Sequence, residues 1–542
     1  MSPRRRVRLS ALVIVALIVA VPAAPASAQF YEAALRSLDL SPDPLARSPR
    51  LVGMGRLTYV GNDPHNRIRM WDFAGNPTGI AEAESTSTFE LRPMTGSASG
   101  VRDLRDGASL LERQDLAARA TRFGFEGWRR TSGSTAYGVV GDVASLRYDR
   151  LYGDDSERRS QFSLPRAMPV LTGRLPYASG RWSYALRLSY SGENTSDKYL
   201  SLVRNGAGEY LGRDGMEMNP PDFFRPTDYD VRSVGAGLAV SAYVNRWLTA
   251  AVGVDRYGND IAGTNEDPRH ASEISEKRPY GAGQATLIGR IGREIEWGVD
   301  GRGWRSSSEQ RWAFSISAGI GQDPLVGRGK LLEREETGSA LRSRVRWVRG
   351  PLELGAGFNT GFRRVTITPP AAGDPTSFNA FRNRVFYRSN TDSLALSDSV
   401  IYNRSEERSW EAGGGLAWRL FGGRGTWGAE FHRRHDVLDQ VVGGHGPVRS
   451  GWDVRTGLEV ACTPVLTGRV GYLHRWDDRD LLTRQNEFLG NGLTLGLGVG
   501  PAGSAWSLES GYLIEWQQAD YGDPDRPRSS RQQLAAQLRW TF

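Results

Sequence analysis

Residues 533–542 read QLAAQLRWTF and alternate apolar with polar side chains. One side of an extended chain would carry Leu534, Ala536, Leu538, Trp540 and Phe542. The other side would carry Gln533, Gln537, Arg539 and Thr541. Because successive side chains of a strand point to opposite faces, this spacing predicts a β-strand with one apolar and one polar face.

The same alternation recurs upstream, at residues 182–190, 312–320, 410–420, 452–460 and 506–516. In several of these stretches the aromatic residues stand at the ends and aliphatic residues fill the middle, as between Trp506 and Trp516. In 312–320, Trp312, Phe314 and Ile316 fall on the apolar side. A lipid-facing strand needs apolar side chains at mid-depth and Trp or Tyr at the two interfaces. A soluble sandwich would turn its aromatic residues inward, so the pattern favours a membrane barrel.

The connections between these stretches also alternate in length. Short ones, such as 462–464, are followed by long polar segments, such as 193–230, 258–278, 322–338 and 365–406. Outer-membrane barrels have short turns at one end and long loops at the other. We therefore predict an all-β fold: a transmembrane antiparallel β-barrel of about 14–18 strands, with an even number favoured. The mean hydropathy of −0.46 argues against a helical membrane protein.

The N-terminus has the features of an export signal. Arg4, Arg5, Arg6 and Arg8 precede an uncharged apolar run at 11–21, and Ala26-Ser27-Ala28 follows. This order predicts a signal peptide over 1–28, cleaved before Gln29, and a location in the cell outer membrane of a Gram-negative-type envelope. We expect residues 29–118 to form an N-terminal segment, either a plug or a periplasmic element, and residues 119–542 to form the barrel.

Charge and cysteine content exclude some functions. The net charge of +8 falls to +4 without the four signal arginines, and no basic stripe suits nucleic acid. Sixty-six of the 69 basic residues are Arg, which reflects either a GC-rich genome or an arginine-lined lumen that favours anions. Cys462 is the only cysteine, so no internal disulfide is possible.

Two resemblances follow from these motifs. The alternating residues before Phe542 resemble the closing strand of outer-membrane barrels, and this implies recognition by the barrel-assembly machinery. The positions that carry that resemblance are Leu534, Leu538, Trp540 and Phe542.

A second resemblance lies near the N-terminus. Ala46-Arg47-Ser48, Gly53-Met54-Gly55 and residues 73–80 (FAGNPTGI) resemble the start of FadL-type fatty-acid-transporter barrels. The chain departs from that pattern at Arg56, where Gly is expected, and at Thr78, where Ala is expected. The resemblance implies that the N-terminal segment folds into the lumen as a plug and that hydrophobic small molecules cross by way of the wall. Residues expected along such a path are Met70, Trp71, Phe73, Asn76 and Pro77.

The sequence offers little for catalysis or cofactors. His432 and His435 are three apart, which in a strand puts them on opposite faces, unsuited to one metal site. His474 near Asp477 is a candidate pair for a barrel enzyme, but such proximity is common in polar loops. We expect no enzyme activity, no cofactor and no metal. The favoured function is a transporter or channel in outer-membrane lipid; the alternative is a structural or docking barrel whose outer loops, such as 365–406, hold a surface or secretion assembly.

Overall fold

The fold is taken from a computed structural model, which describes residues 49–61 and most of 88–542. The parts of 88–542 that it does not describe are 107–108, 131–134, 153–155, 175–181, 202, 205–209, 213–227, 246, 268–269, 317–324, 369–403, 441–447, 482–483, 501–503 and 521–527. Among the described residues, no helix has the length and apolar character needed to cross a membrane.

Eighteen strands of the described chain form one antiparallel sheet. They are β1 (Thr88–Asp106), β2 (Ser109–Arg130), β3 (Thr135–Tyr152), β4 (Ser156–Arg174), β5 (Trp182–Ser201), β6 (Asp228–Asn245), β7 (Leu248–Asp267), β8 (His270–Ile291), β9 (Ile295–Ile316), β10 (Leu325–Arg349), β11 (Leu352–Thr368), β12 (Arg404–Leu420), β13 (Gly425–Gln440), β14 (Val448–Ala461), β15 (Leu466–Leu481), β16 (Arg484–Val499), β17 (Trp506–Asp520) and β18 (Arg528–Thr541). Each strand pairs with its neighbours in sequence, and β1 pairs with β18, with Thr88 opposite Thr541. The sheet therefore closes into a barrel without a free edge.

Two short pieces lie outside the barrel sheet. Helix α1 (Pro49–Gly53) precedes it, and two very short strands, Val203–Arg204 and Tyr210–Gly212, pair between β5 and β6. Tight connections such as Phe421–Gly423, a 3-10 turn, join strands at one end of the barrel, and Gly292 and Gly350 adopt positive φ in two others. The pairing of β1 with β18 places both ends of the sheet at this short-turn end.

The outer face of the barrel is apolar. Leu495 is 59 % exposed and Val254 63 % exposed, as expected of side chains that face lipid. Tryptophans flank this band: Trp506 lies at the short-turn end of β17 and Trp516 lies ten positions along the same strand. Ten strand residues cover roughly 33 Å, or about 25 Å along the axis at the usual tilt of about 40°. That height matches a bilayer's hydrocarbon core, so the barrel is a membrane-spanning one.

The predicted barrel fold and the even strand number within 14–18 are confirmed. The barrel starts earlier than predicted, however, because β1 begins at Thr88 and not near residue 119. Its alternation is visible only at Phe89 and Leu91, after which Pro, Gly and Ser hide the pattern. Strands also run into segments predicted as loops: β5 continues to Ser201 and β10 begins at Leu325. Beyond the bilayer both faces are polar, so the alternation fades while the ladder of hydrogen bonds continues.

One predicted face is wrong. Trp312 was expected to face lipid, but it is 5 % exposed and lies on the buried face of β9 with Ser306 and Ser308. Residues 317–320 of that predicted stretch lie outside the described residues. Near this end of the barrel the outward positions of β9 are polar, for example Arg311, which is 73 % exposed. At this end of β9 the outer face is exposed to water and polar, and the aromatic Trp312 therefore lies on the inner face.

Candidate functional site: a chain segment inside the barrel

Residues 49–61, termed the lumen segment below, lie against the inner face of strands β11–β17. The inner face is identified by alternation: on β16, Leu493, Leu495 and Leu497 point outward and are exposed, whereas Thr494 is fully buried. The Thr494 Oγ1 accepts a hydrogen bond from the backbone N–H of Gly55 at 2.8 Å and donates one to the Gly53 carbonyl at 3.0 Å. The lumen segment therefore lies inside the barrel, within a few residues of the short-turn end.

Glycines of the barrel wall make room for this segment. Each of the seven strands β11–β17 has a glycine at which an added Cβ would press on the lumen segment. These residues, termed the glycine track, are Gly355, Gly413, Gly428, Gly457, Gly471, Gly496 and Gly511. At Gly471 a Cβ would overlap the backbone nitrogen of Gly55, and at Gly457 the carbonyl of Met54. Because backbone meets backbone at Gly457 and Gly471, only glycine fits there, whereas at Gly413 and Gly428 an added Cβ would press on the side chains of Tyr59 and Leu57.

A buried carboxylate on β13 holds the end of the segment. Glu430 accepts hydrogen bonds from the backbone N–H groups of Thr58 (2.7 Å), Tyr59 (2.5 Å) and Val60 (2.8 Å). Its fourth partner is the Nε2 of His432, at 2.8 Å. Hydrogen bonds to a charged acceptor are stronger than neutral ones, and backbone donors buried inside a barrel need partners. Glu430 thus satisfies three consecutive amides that have no partner in a helix or strand.

Arginines of the wall bind the segment's carbonyl groups. Arg344 donates from Nη2 to the Tyr59 carbonyl at 2.8 Å, and Arg455 donates from Nη1 to the Arg56 carbonyl at 3.0 Å. Near the start of the segment, Arg50 makes a bidentate ion pair with Glu459 of β14, with both N–O distances 2.7 Å. Side chains of the wall therefore bind backbone donors and acceptors along the segment, and this fixes the segment in one register.

Apolar contacts complete the binding of the segment. Leu51, Met54, Leu57 and Val60 form a buried cluster with Ala417 of β12. Val52 packs with two fully buried wall residues, Leu473 and Leu513. Burying side chains of this size contributes roughly 1.5–3 kcal/mol each. The resulting core lies inside the lumen, separate from the lipid-facing apolar band.

The ring of Tyr59 packs against strands β11, β12 and β13. Its ring stacks on His432 with centroids 5.0 Å apart and lies against Gly357 and Gly413. The hydroxyl is buried and makes no hydrogen bond to any described residue. Burial, with the nearby carboxylates of Glu411 and Glu430, raises the pKa of the Tyr59 phenol above its ordinary range. The side chain is therefore neutral under all physiological conditions.

A polar cavity of 170 Å³ adjoins the segment on the side away from the short turns. Four arginines, one histidine and two acids line it together with Gly451: Arg56, Arg434, Arg455, Arg475, His432, Glu411 and Asp453. We term this space the arginine cavity. Carboxylates of the wall pair with these arginines: Asp453 with Arg455, Asp477 with Arg434, and Glu515 with Arg475. The inner wall is thus strongly charged, as the polar side of the predicted alternation indicated.

The structure separates the candidate pairs weighed for metal or catalysis. His432 faces the lumen, whereas His435 lies on the outer face beside Trp410, so the expectation of opposite faces is confirmed. His474 bonds Asn491 and packs on the outward Trp452, whereas Asp477 is buried with Arg434 and Arg449. In the described chain, no cluster of three or more His, Cys, Asp or Glu side chains could hold a metal ion.

Other predicted residues are placed less fully. Met70, Trp71, Phe73, Asn76 and Pro77 lie outside the described residues, as does the 1–28 signal. Leu534, Leu538 and Trp540 share the outward face of β18, and Phe542 follows with 78 % exposure. Their part in barrel assembly stays a prediction. The Gly53-Met54-Gly55 element lies at the centre of the site, with Met54 fully buried.

Sequence reasoning missed the glycine track and the charged residues opposite it. Glycine is frequent throughout the chain, 65 residues in all, so no single glycine stands out. The informative signal was the position of these glycines on the polar side of successive strands, next to Glu430, Asp453 and Glu515. A glycine on the inner face of seven neighbouring strands indicates that another backbone approaches there.

Together these features define a class: a membrane-spanning antiparallel β-barrel with a chain segment bound to its inner wall. No protein-family model matches the chain, and no curated protein matches it in sequence. Solved structures with a similar chain path include the ferric yersiniabactin uptake receptor FyuA of Yersinia pestis, with 9% identity over 85% of this chain and 80% of that chain and a TM-score of 0.41. A deletion mutant of TodX, a monoaromatic hydrocarbon channel, shows 11% identity over 92% of this chain and 99% of that chain, with a TM-score of 0.38. A FadL homologue of Pseudomonas aeruginosa shows 10% identity over 91% and 98%, with a TM-score of 0.35. At these scores the similarity identifies neither a family nor a substrate for this chain.

Proposed function

We propose that this protein is an outer-membrane transport barrel whose lumen segment narrows the short-turn half of the lumen. The observation that carries the proposal is the contrast between the two faces of the wall. The outer face is apolar and bordered by tryptophans, whereas the inner face carries buried charges such as Glu430, Arg455 and Asp477. A wall of this kind suits passage of a polar solute through water.

The location follows from the same contrast. A closed antiparallel barrel with an apolar band satisfies every strand hydrogen bond inside a bilayer, which is the arrangement outer membranes accept. Export by the predicted signal over 1–28 and insertion by the barrel-assembly machinery are parts of this proposal. Lipid of the outer membrane is then the partner of the exposed Leu and Val side chains.

The resemblance to FadL-type barrels offers a second candidate, passage of hydrophobic compounds. It is supported by the Gly53-Met54-Gly55 element, which the barrel wall surrounds. The surroundings of the lumen segment favour the polar alternative, because the space beside it is the arginine cavity. Met70, Trp71 and Phe73 remain the residues proposed to line a hydrophobic path. A docking role through the segment 365–406 remains the alternative, and residues 369–403 of that segment lie outside the described residues.

Conductance in planar bilayers tests the transport proposal. The purified full chain should open a small, steady conductance, and Gly457→Leu/Gly471→Leu should raise it severalfold because two added side chains displace the lumen segment. Gly281→Leu/Gly283→Leu is the control, since those glycines lie on the outer face of β8 and an added Cβ there meets no protein atom within 4 Å. Swelling of vesicles in small polar solutes against uptake of a fluorescent fatty acid separates the two solute classes. No conductance and no solute uptake in either variant would refute transport and favour a docking barrel.

A further inference from the structure

Arg56 adopts a backbone conformation that is unfavourable for its residue type. Its φ is +63°, directly after Gly55 at +74°. The left-handed region is unfavourable for a residue with a Cβ, whereas glycine enters it freely. Glycine fills the other tight positions of this site, at Gly53 and Gly55. An arginine in this conformation therefore indicates a use for its side chain.

The side chain of Arg56 lines the arginine cavity. Three further arginines, Arg434, Arg455 and Arg475, converge on the same 170 Å³ from strands β13, β14 and β15. The volume is far larger than a single water needs. Two carboxylates also line the cavity, and both have cationic or ionisable neighbours: Asp453 accepts from Arg455 Nη2 at 2.9 Å, and Glu411 lies 3.3 Å from His432 Nδ1. Each of the three wall arginines also pairs with a wall carboxylate: Arg434 with Asp477, Arg455 with Asp453, and Arg475 with Glu515. What distinguishes the cavity is the convergence of four guanidinium groups, each rich in N–H donors.

Arginine is suited to hold an anion even when it is already in an ion pair. A guanidinium has five N–H donors in a rigid fork, and one carboxylate uses at most two or three of them. Arg434 shows this: its Nε and Nη2 both point to Asp477 Oδ1, so its remaining N–H groups are directed elsewhere. Planar or tetrahedral oxyanions match this fork geometry better than a halide does.

We propose that the arginine cavity binds the oxyanion group, carboxylate or phosphate, of a small solute, with Arg56 supplying a guanidinium from the lumen segment. That the anion belongs to a solute crossing the lumen rests on the proposed transport function; the binding site itself does not. Because both the lumen segment and the wall contribute arginines, binding of the solute would depend on where the segment lies.

Calorimetric titration of the detergent-solubilised full chain with inorganic phosphate, and separately with succinate, tests this site. We expect saturable binding of at least one probe, and the stronger of the two shows whether the group is phosphate or carboxylate. Arg56→Gly should weaken binding about tenfold or more, because one charged donor is lost. The same variant should unfold at an equal or higher temperature, because glycine relieves the backbone strain. Arg56→Lys should retain part of the binding.

The control is Arg419→Gln, which removes an exposed arginine that lines a different cavity near the short turns. Unchanged binding in Arg56→Gly, an equal loss in Arg419→Gln, or no binding of either probe by the natural sequence would overturn the inference. The titration does not depend on conductance. A barrel that binds phosphate at Arg56 but passes no current refutes transport alone, and a conducting barrel without this binding refutes the anion site alone.

Discussion

Replacing Glu430 by glutamine should release the lumen segment while the barrel stays folded. The carboxylate of Glu430 accepts from three consecutive backbone amides, at 2.5–2.8 Å, and lies 2.8 Å from the Nε2 of His432. Glutamine retains one acceptor oxygen, but its NH2 group would face N–H donors. Hydrogen bonds to a charged group contribute about 1.5–3 kcal/mol each, so losing at least one of them and opposing another costs about 2–4 kcal/mol of binding.

Hydrogen exchange measures this free energy directly. A cost of about 2–4 kcal/mol corresponds to an increase in exchange rate of about 30- to 1000-fold at the amides of Thr58, Tyr59 and Val60. The peptide containing 49–61 should lose protection, whereas peptides from β11–β17 should keep it. Glu411→Gln is the matched control, because it alters the other carboxylate that contacts His432 on the same wall, at 3.3 Å from Nδ1. Unchanged protection of 49–61 in Glu430→Gln would show that this carboxylate does not hold the segment.

Three further predictions concern the same wall and its outer face. Gly471→Val should raise the hydrogen-exchange rate across 49–61 at least tenfold, because its side chain would occupy the place of the Gly55 backbone. Gly283→Val should not, because an added Cβ there meets no protein atom within 4 Å. Equal effects of the two variants would argue against a close approach of the segment to Gly471. Leu495→Arg, at a lipid-facing position near mid-depth, should lower the free energy of unfolding from lipid by about 2–4 kcal/mol in a guanidinium titration, with Leu495→Ala losing much less. Tyr59→Phe should leave the segment equally or more protected at pH 8, since the buried hydroxyl makes no hydrogen bond within the described part of the chain. Burial raises the pKa of Tyr59, so the bound segment favours the neutral phenol. The stabilisation that the neutral phenol gives to the bound segment is complete below the ordinary phenol pKa of about 10 and is lost as the pH rises further. The protection factor of 49–61 should therefore fall above about pH 10 in the natural sequence and fall less in Tyr59→Phe. Identical pH profiles would contradict that reasoning.

The membrane part of the fold could be predicted from the sequence because lipid imposes a simple rule on each strand. At Leu493, Leu495 and Leu497 every second residue must be apolar, and the prediction of a barrel needed nothing more. The rule ends where the bilayer ends. It therefore failed at Trp312, on the inner face of β9, and at the polar outer part of β5. It also failed for β1, whose glycine and serine positions resemble a loop.

The site was harder to predict because it depends on contacts between distant parts of the chain. Arg50 and Glu459 are 409 positions apart, and no local pattern connects them. Gly53-Met54-Gly55 was noticed through a family resemblance, which indicated a location in the lumen but not the glycine track opposite it. The strain at Arg56 follows from tertiary contacts on both sides of the turn, and the sequence showed only that glycine was missing there.

The glycine track also has a consequence for the order of assembly. Seven consecutive strands from the second half of the chain each contribute one wall position, so the binding groove does not exist until β11–β17 have paired. The lumen segment is made before all of them. Arg50 and Glu459 are some 400 residues apart, so bringing them together in an unpaired chain has a large loop-closure entropy cost. Once β1 is paired with β18, only the residues between 61 and 88 separate the lumen segment from the barrel. The loop-closure free energy is then lower by roughly 2 kcal/mol. Binding of the segment is therefore a late step, and it reports that the barrel has closed.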